Sequence, residues 1–193
     1  PSLAPGAVTF TSNDELATRL AALAATAQAG TQVKRLQPGK SHDGLPIEAL
    51  RFSRGSQPRP AVLLLGQQHG DEPAGAEALL VLAGQLLSTD LGAVLDRIDV
   101  IVLPRANPDG AEWQRRVNAA GLDINRDHLL LRTPEAQAVA ALVRSQRPVV
   151  VVDAHEHAVV GRYLQKFNAV QRNDWLFQYA MTANLPEALG RAS

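Results

Sequence analysis

The stretch AVLLLGQQHGDEPAG, Ala61 to Gly75, restricts the fold more than any other part of the chain. Val62 to Leu65 form an unbroken apolar run after Pro60, too short for a helix and without alternation, bounded on each side by turn-forming residues. That is the pattern of a strand buried on both faces. Beyond it Gly70 turns the chain, and Pro73 stands where a helix favourably opens. His69 and Glu72 therefore fall in a strand-to-helix turn at the carboxyl end of a core strand. Open α/β sheets bind their ligands there.

The flanking sequence supplies the rest of such a sheet. Ser12-Asn13-Asp14-Glu15 matches a capping box, predicting a helix from about Asn13 to Ala29 with Leu16, Leu20 and Leu23 on one face and Gly30 as its stop. Thr31 to Leu36 and Ile47 to Phe52 read as neighbouring antiparallel strands joined by PGKSHDGLP. Pro73 to Leu87 reads as an amphipathic helix, Ile98 to Leu103 as a second buried strand, Thr133 to Ser145 as a helix opened by Pro134, and Pro148 to Val152 as a third buried strand. The alternation implies an α/β fold, with a central mixed, largely parallel twisted sheet flanked by helices. Pro104 to Leu131 is long, polar and aperiodic, which in a compact domain marks a functional or disordered loop. Asn173 to Thr182 is a further helical candidate. Residues 1–193 read as one domain.

Charge excludes some partners. Nineteen basic and nineteen acidic residues cancel, without a Lys/Arg block, so neither nucleic acid nor an anionic membrane surface is implied. The longest apolar stretch, Leu20 to Ala29, falls short of the roughly 20 residues that span a bilayer. The chain reads as soluble, and a leader removed before Pro1 would place it in the periplasm or outside the cell. With no cysteine there is neither a disulfide nor a thiolate metal site.

Three strand ends carry chemistry: His69 and Glu72, then Asn107-Pro108-Asp109-Gly110, then Asp153-Ala154-His155-Glu156-His157. Two imidazoles and one carboxylate are a common ligand set for catalytic zinc. Strand alternation places His155 and His157 on one face with Asp153, so either histidine suits as the third ligand, whereas Glu156 points away. Arg116, Asn125 and Arg126 lie between the second and third strand ends; a guanidinium can grip a carboxylate as a planar fork or stabilise a developing oxyanion. Asn107 to Gly110 read as a turn shaping the site floor. His42 reads as a surface residue and His128 as a surface or subsite residue.

His69-Gly70-Asp71-Glu72, Asn107-Pro108-Asp109-Gly110, Arg116, Asp123-Ile124-Asn125-Arg126 and His155 stand in the order found in the M14 zinc metallocarboxypeptidases, the carboxypeptidase A-like enzymes, which the chain resembles from about Val33 to His157. Gly39-Lys40-Ser41 with Gly44-Leu45-Pro46-Ile47 is similar to an early strand-turn-strand stretch of that family. The resemblance implies one Zn²⁺ held by His69, Glu72 and His155, with Asp123 supporting His69 from behind. It further implies Arg116 at the oxyanion and Asn125 and Arg126 on the substrate's terminal carboxylate. Asp153 is an alternative or additional polar support. Asp127-His128 departs from the family, where an amide and an aromatic are usual, and His157 is extra.

The family's glutamate base lies well beyond the third ligand. Only Glu187 follows Glu156 here, and neither it nor Glu112 or Glu135 is assigned that role. Tyr163 and Tyr179 are likewise not assigned as the family's substrate-capping tyrosine. The chain is thus expected to be the N-terminal portion of a peptidase domain, carrying metal site and carboxylate clamp without the base. Its substrate would be a peptide, or an acyl-amino acid, with a free carboxylate. The alternatives are a deacylase like aspartoacylase and succinylglutamate desuccinylase, and a non-catalytic zinc-containing module that binds peptide C-termini.

Overall fold

A strand covered on both faces must send alternate side chains to two different cores, and the central strand does so. In the computed structural model, which describes residues 9–26, 30–157, 162–170 and 187, the first unit, Pro1–Glu156, is built on a five-stranded sheet. Its elements are α1 (Asn13–Ala25), β1 (Thr31–Lys40), β2 (Pro46–Arg54), β3 (Ala61–Gly66), α2 (Ala74–Leu86), α3 (Thr89–Gly92), a 3-10 turn (Ala93–Asp96), β4 (Asp99–Leu103), α4 (Pro108–Glu112), a second 3-10 turn (Ile124–Arg126), α5 (Pro134–Gln146) and β5 (Val150–Ala154). The second unit, His157–Ser193, contributes one described helix, α6 (Arg162–Phe167). No helix among the described residues is long and apolar enough to cross a membrane.

The strand order is β1-β2-β4-β3-β5. β1 with β2 and β2 with β4 run antiparallel, while β4 with β3 and β3 with β5 run parallel. The expected mixed sheet is therefore present, its ladders evenly divided between the two senses. Every residue of β4 is buried. Val100 and Val102 join Leu16 and Leu20 of α1 and Leu79, Leu80 and Ala83 of α2 in one core. Ile101 and Leu103 point the other way, onto Ala138, Val139 and Leu142 of α5, with Leu63 and Leu65 of β3 beside them. This period-two partition is why the strands read as apolar runs.

Local chemistry opens the helices as the sequence predicts. Ser12 accepts from Glu15 N–H while Glu15 accepts from Ser12 N–H, the two halves of the capping box. Thr133 caps α5 through Ala136 N–H, with Pro134 at the first helical position. α1 ends at Ala25, because Thr26 turns extended at φ −73°, ψ 106°; Gly30 is not its stop, and residues 27–29 lie outside the described residues.

Three expectations need revision. β5 is not buried: Val150, Val151 and Val152 are 48%, 46% and 39% exposed. Among the described residues it pairs with β3 alone and none of its valines joins either core, so its apolar run marks the end of the described sheet. Pro104 to Leu131 is folded, containing α4 and the second 3-10 turn, and Pro104 to Gly110 are buried throughout. Asn107 to Gly110 form the N-terminus of α4, with Asn107 Oδ1 accepting from Gly110 N–H at 2.9 Å. The candidate helix at Asn173 to Thr182 lies outside the described residues.

Side-chain acceptors hold this long segment in place. Asp109, 1% exposed, accepts from Ser41 Oγ at 2.5 Å and Asp43 N–H at 3.1 Å. Glu135, fully buried, accepts from His42 N–H at 2.8 Å and Asn118 Nδ2 at 3.0 Å. Asp127 accepts from Thr133 N–H at 2.6 Å and Thr133 Oγ1 at 2.9 Å, bracing the cap of α5. Burial pushes the Asp127 carboxyl up, but bonds from Thr133 and the Arg132 backbone outweigh it and hold it below 3.8. A carboxyl depressed by folding stabilises the fold above its ordinary value, and that contribution is lost as pH falls through the folded value. Asp127→Asn should therefore lower stability by roughly 1–3 kcal/mol near neutrality. In urea unfolding across pH, its gap from the unsubstituted protein should narrow below pH 3.8; a gap constant with pH would contradict the assignment.

Candidate metal centre

The turn that follows β3 is held from both sides. Gln67 adopts φ +47°, a left-handed conformation that costs a side-chain-bearing residue free energy. Its amide secures that geometry, Nε2 donating to Gly70 O at 3.0 Å and Oε1 accepting from Arg105 Nε at 2.7 Å. The turn closes through Glu72 N–H to His69 O at 3.1 Å. Gly70 is required by close approach: a Cβ there would meet Gly110 C at 2.0 Å and Gly110 O at 2.3 Å. His69 and Glu72 are thus presented by a turn pressed directly onto the backbone of α4.

β5 brings the other histidine. Its register with β3 pairs Leu65 with Asp153 and Gly66 with Ala154. The next residue, His155, comes beside the turn, its ring centroid 4.7 Å from that of His69. Both imidazoles address one carboxylate. His69 Nδ1 lies 2.8 Å from Glu72 Oε1, and His155 Nδ1 lies 2.7 Å from Glu72 Oε2. One ligand atom from each of the three residues falls within 4.8 Å of the others, the described group able to hold a metal ion. His157 is not part of it. The strand ends at Ala154, so alternation does not carry past that residue.

The outward ring nitrogens meet carboxylates too. His69 Nε2 is buried without an aligned hydrogen bond, 3.3 Å from Asp123 Oδ1, and His155 Nε2 lies 2.9 Å from Asp153 Oδ2. Carboxylates behind metal-bound imidazoles fix the ring tautomer and raise ligand basicity. Two Nδ1 atoms and a carboxylate facing one point, each imidazole backed by an acid, make a donor set that fits zinc. The same contacts shift both groups. Asp153 on its ring nitrogen, outweighing the opposing effect of burial, raises His155 from 6.5 to about 9, and Glu72 adds in the same direction. Burial pushes Glu72 up, yet bonds from His155, Glu156 N–H and His69 hold it below 4.5.

Arg116 is beside the group: Nε donates to Asp123 Oδ2 at 3.0 Å, while Nη1 is 3.3 Å from His69 Nδ1 and 3.7 Å from Glu72 Oε1. Asp123 also accepts from Asn125 N–H at 3.0 Å. Burial raises its carboxyl, but Arg116, His69 and Arg126 outweigh that and keep it below 3.8. Asn125 Nδ2 reaches within 3.0 Å of His155 Nε2. Arg126 is exposed, and its guanidinium donates to Asn125 O at 3.1 Å without a carboxylate partner among the described residues. Glu156 points away as expected: its carboxylate accepts from Ala74 N–H at the start of α2, at 2.7 Å. His42 is exposed, as expected.

Sequence reasoning missed Gln67, Gln68 and Arg105. Glutamines in a turn carry no periodic signal, and an arginine after a strand reads as solvated; Arg105 is instead 4% exposed, bonded to Gln67, to Asn13 Oδ1 at 2.8 Å and to Thr11 O at 2.6 Å. Burial runs unbroken from Asp99 to Gly110, well past the end of β4, and no periodicity in the sequence marks that extension.

The sequence pattern of the zinc carboxypeptidases, peptidase family M14, matches residues 20–131. Carboxypeptidase 2 of Trichophyton rubrum is 34% identical over 163 residues, covering 80% of this chain and 30% of its own. Carboxypeptidase D of Drosophila melanogaster is 31% identical, covering 65% and 11%. A metallo-carboxypeptidase from Burkholderia cenocepacia shares the fold with a TM-score of 0.68 at 23% identity, covering 75% of this chain and 40% of that one. A metallo-carboxypeptidase from Pseudomonas aeruginosa, solved with (2-guanidinoethylmercapto)succinic acid, gives 0.63 at 28%, covering 75% and 38%. The chain spans less than half the length of each.

If the three converging residues are the ligand set, zinc titration of the metal-free protein should show one site lost in His69→Ala, Glu72→Gln and His155→Ala and retained in His157→Ala. Gly70→Ala should weaken the same site and lower stability by about 1–3 kcal/mol, since backbone must move to admit the methyl. Unchanged titration in Gly70→Ala would show that contact with α4 does not position the turn.

Proposed function

Since the chain belongs to the zinc carboxypeptidase family, we propose that the protein to which it belongs removes C-terminal residues from peptides by zinc-dependent hydrolysis, residues 1–193 being the N-terminal portion of its catalytic domain. The observation that carries this reading is the meeting of His69, Glu72 and His155 around one point, with Arg116 alongside and, on the adjoining segment, Arg126, which has no ion pair with a carboxylate among the described residues. His69, Glu72 and His155 hold the ion. When bound, zinc polarises the scissile carbonyl and acidifies a water to a pKa of about 7.

The chain's own groups do the remainder. Asp153 keeps the His155 proton on Nε2, and the Asp123 carboxylate, 3.3 Å from His69 Nε2, draws the His69 proton to the same side, leaving both Nδ1 lone pairs for the ion. Arg126 and Asn125 bind the substrate's terminal carboxylate, which selects a free C-terminus. Arg116, steered by Asp123, directs a guanidinium at the carbonyl oxygen as charge develops there. Among the described residues, Glu72, Asp123 and Asp153 are each committed to an imidazole or guanidinium, and Glu156 to Ala74 N–H. None of them is assigned the proton-transfer role.

In the intact zinc-loaded protein, peptides with a free C-terminus should be cleaved and their amidated counterparts should not. Arg126→Ala should lower kcat/KM by on the order of 10²-fold. Arg116→Ala should lower kcat by about 10²–10³-fold with KM little changed. Equal cleavage of amidated peptides would overturn the carboxylate clamp. Preference for small acyl-amino acids would move the activity to a deacylase, and tight binding without turnover would make the protein a recognition module.

A further inference from the structure

His128 stands outside the ion-binding group, is exposed, and belongs to none of the motifs from which the function is argued. Its ring is nonetheless the start of a hydrogen-bond chain that ends on that group. His128 Nε2 lies 2.6 Å from Gln68 Oε1. Gln68 Nε2 donates to Asp153 Oδ2 at 2.6 Å, and the same oxygen lies 2.9 Å from His155 Nε2.

The polarity of this chain follows from what each group can do. A carboxylate only accepts, so Gln68 must turn its NH₂ to Asp153 and its oxygen to His128, which must then carry its proton on Nε2. Gln68 is 1% exposed, with its backbone oxygen accepting from Asn107 Nδ2 at 3.1 Å. At an amide this buried, an unpaired acceptor is costly. The far end has two competing arrangements. Asn125 Nδ2, 3.0 Å from His155 Nε2, can donate to that nitrogen only if the proton sits on Nδ1, and an Nδ1-protonated ring donates to Glu72 Oε2 and keeps no lone pair for an ion. Asp153 demands the opposite tautomer.

We infer that His128 is a positioning residue for His155: by fixing the Gln68 amide it aims Asp153 at His155 Nε2 and so selects the tautomer whose Nδ1 faces the ion. This rests on the reading of His155 as a ligand. It also joins two parts of the site, because His128 lies two residues beyond Arg126, so the segment bearing the carboxylate clamp braces the third ligand.

The test compares the zinc-loaded protein with His128→Ala and His128→Gln, the latter keeping an amide N–H for Gln68 Oε1. Zinc affinity is read by competition with a chelator, and the His155 Nε2–H proton by NMR of ¹⁵N-histidine protein. His128→Ala should bind zinc about tenfold more weakly and lose the His155 Nε2–H signal to water exchange. His128→Gln should recover both. Unchanged affinity and signal in His128→Ala would overturn the inference while leaving the metal reading intact. Failure of His128→Gln to improve on His128→Ala would reduce His128 to packing and also overturn it. An unsubstituted protein that binds no zinc, or binds it without moving His155 signals, would remove the ligand reading itself.

Discussion

The parallel pairing of β3 with both β4 and β5 is the constraint on which the site depends. Parallel strands emerge at the same edge of a sheet. The segments that follow, Gln67 to Glu72, Pro104 to Gly110 and His155 to Glu156, are therefore delivered side by side although far apart in sequence. Register then decides which atoms meet: Leu65 opposite Asp153 and Gly66 opposite Ala154 bring His155 to the turn bearing His69. A slip of one residue would send the β5 side chains to the other face and separate the two imidazoles.

Around that edge the protein buries several charged groups, each expensive to remove from water unless bonded. Arg105 joins the Gln67 turn to Asn13, the first residue of α1, and to Thr11 just before it. Burial lowers the pKa of Arg105, with Glu77 and Glu112 acting to restore it. Asp109 fastens the turn between β1 and β2 to α4, and Glu135 fastens that turn and Asn118 to α5. The loops holding the ion-binding group thus rest on a frame that reaches every layer of the first unit.

Much of this was legible because it is periodic or locally capped. The buried strands announce themselves as apolar runs, α1 by its capping box, and α5 by Thr133-Pro134. The position of β5 was not legible: an apolar run says that side chains avoid water, not where in the sheet order the strand lies. His155 and His157 could not be separated by alternation, since the strand ends before either. Nor does sequence spacing show that Asp123 backs His69 while Asp153 backs His155. That pairing depends on how the second 3-10 turn and β5 come together.

The contact between Gly70 and Gly110 leaves no room for a side chain, with Gly110 itself hemmed by Asn107 Nδ2 at 2.5 Å and Val117 O at 2.6 Å from where its Cβ would be. The two loops are consequently not independent modules. Any lengthening or resculpting of one changes the surface against which the other is moulded. Grafting this ion-binding turn into another scaffold would require transplanting both loops together, as a single interlocking part.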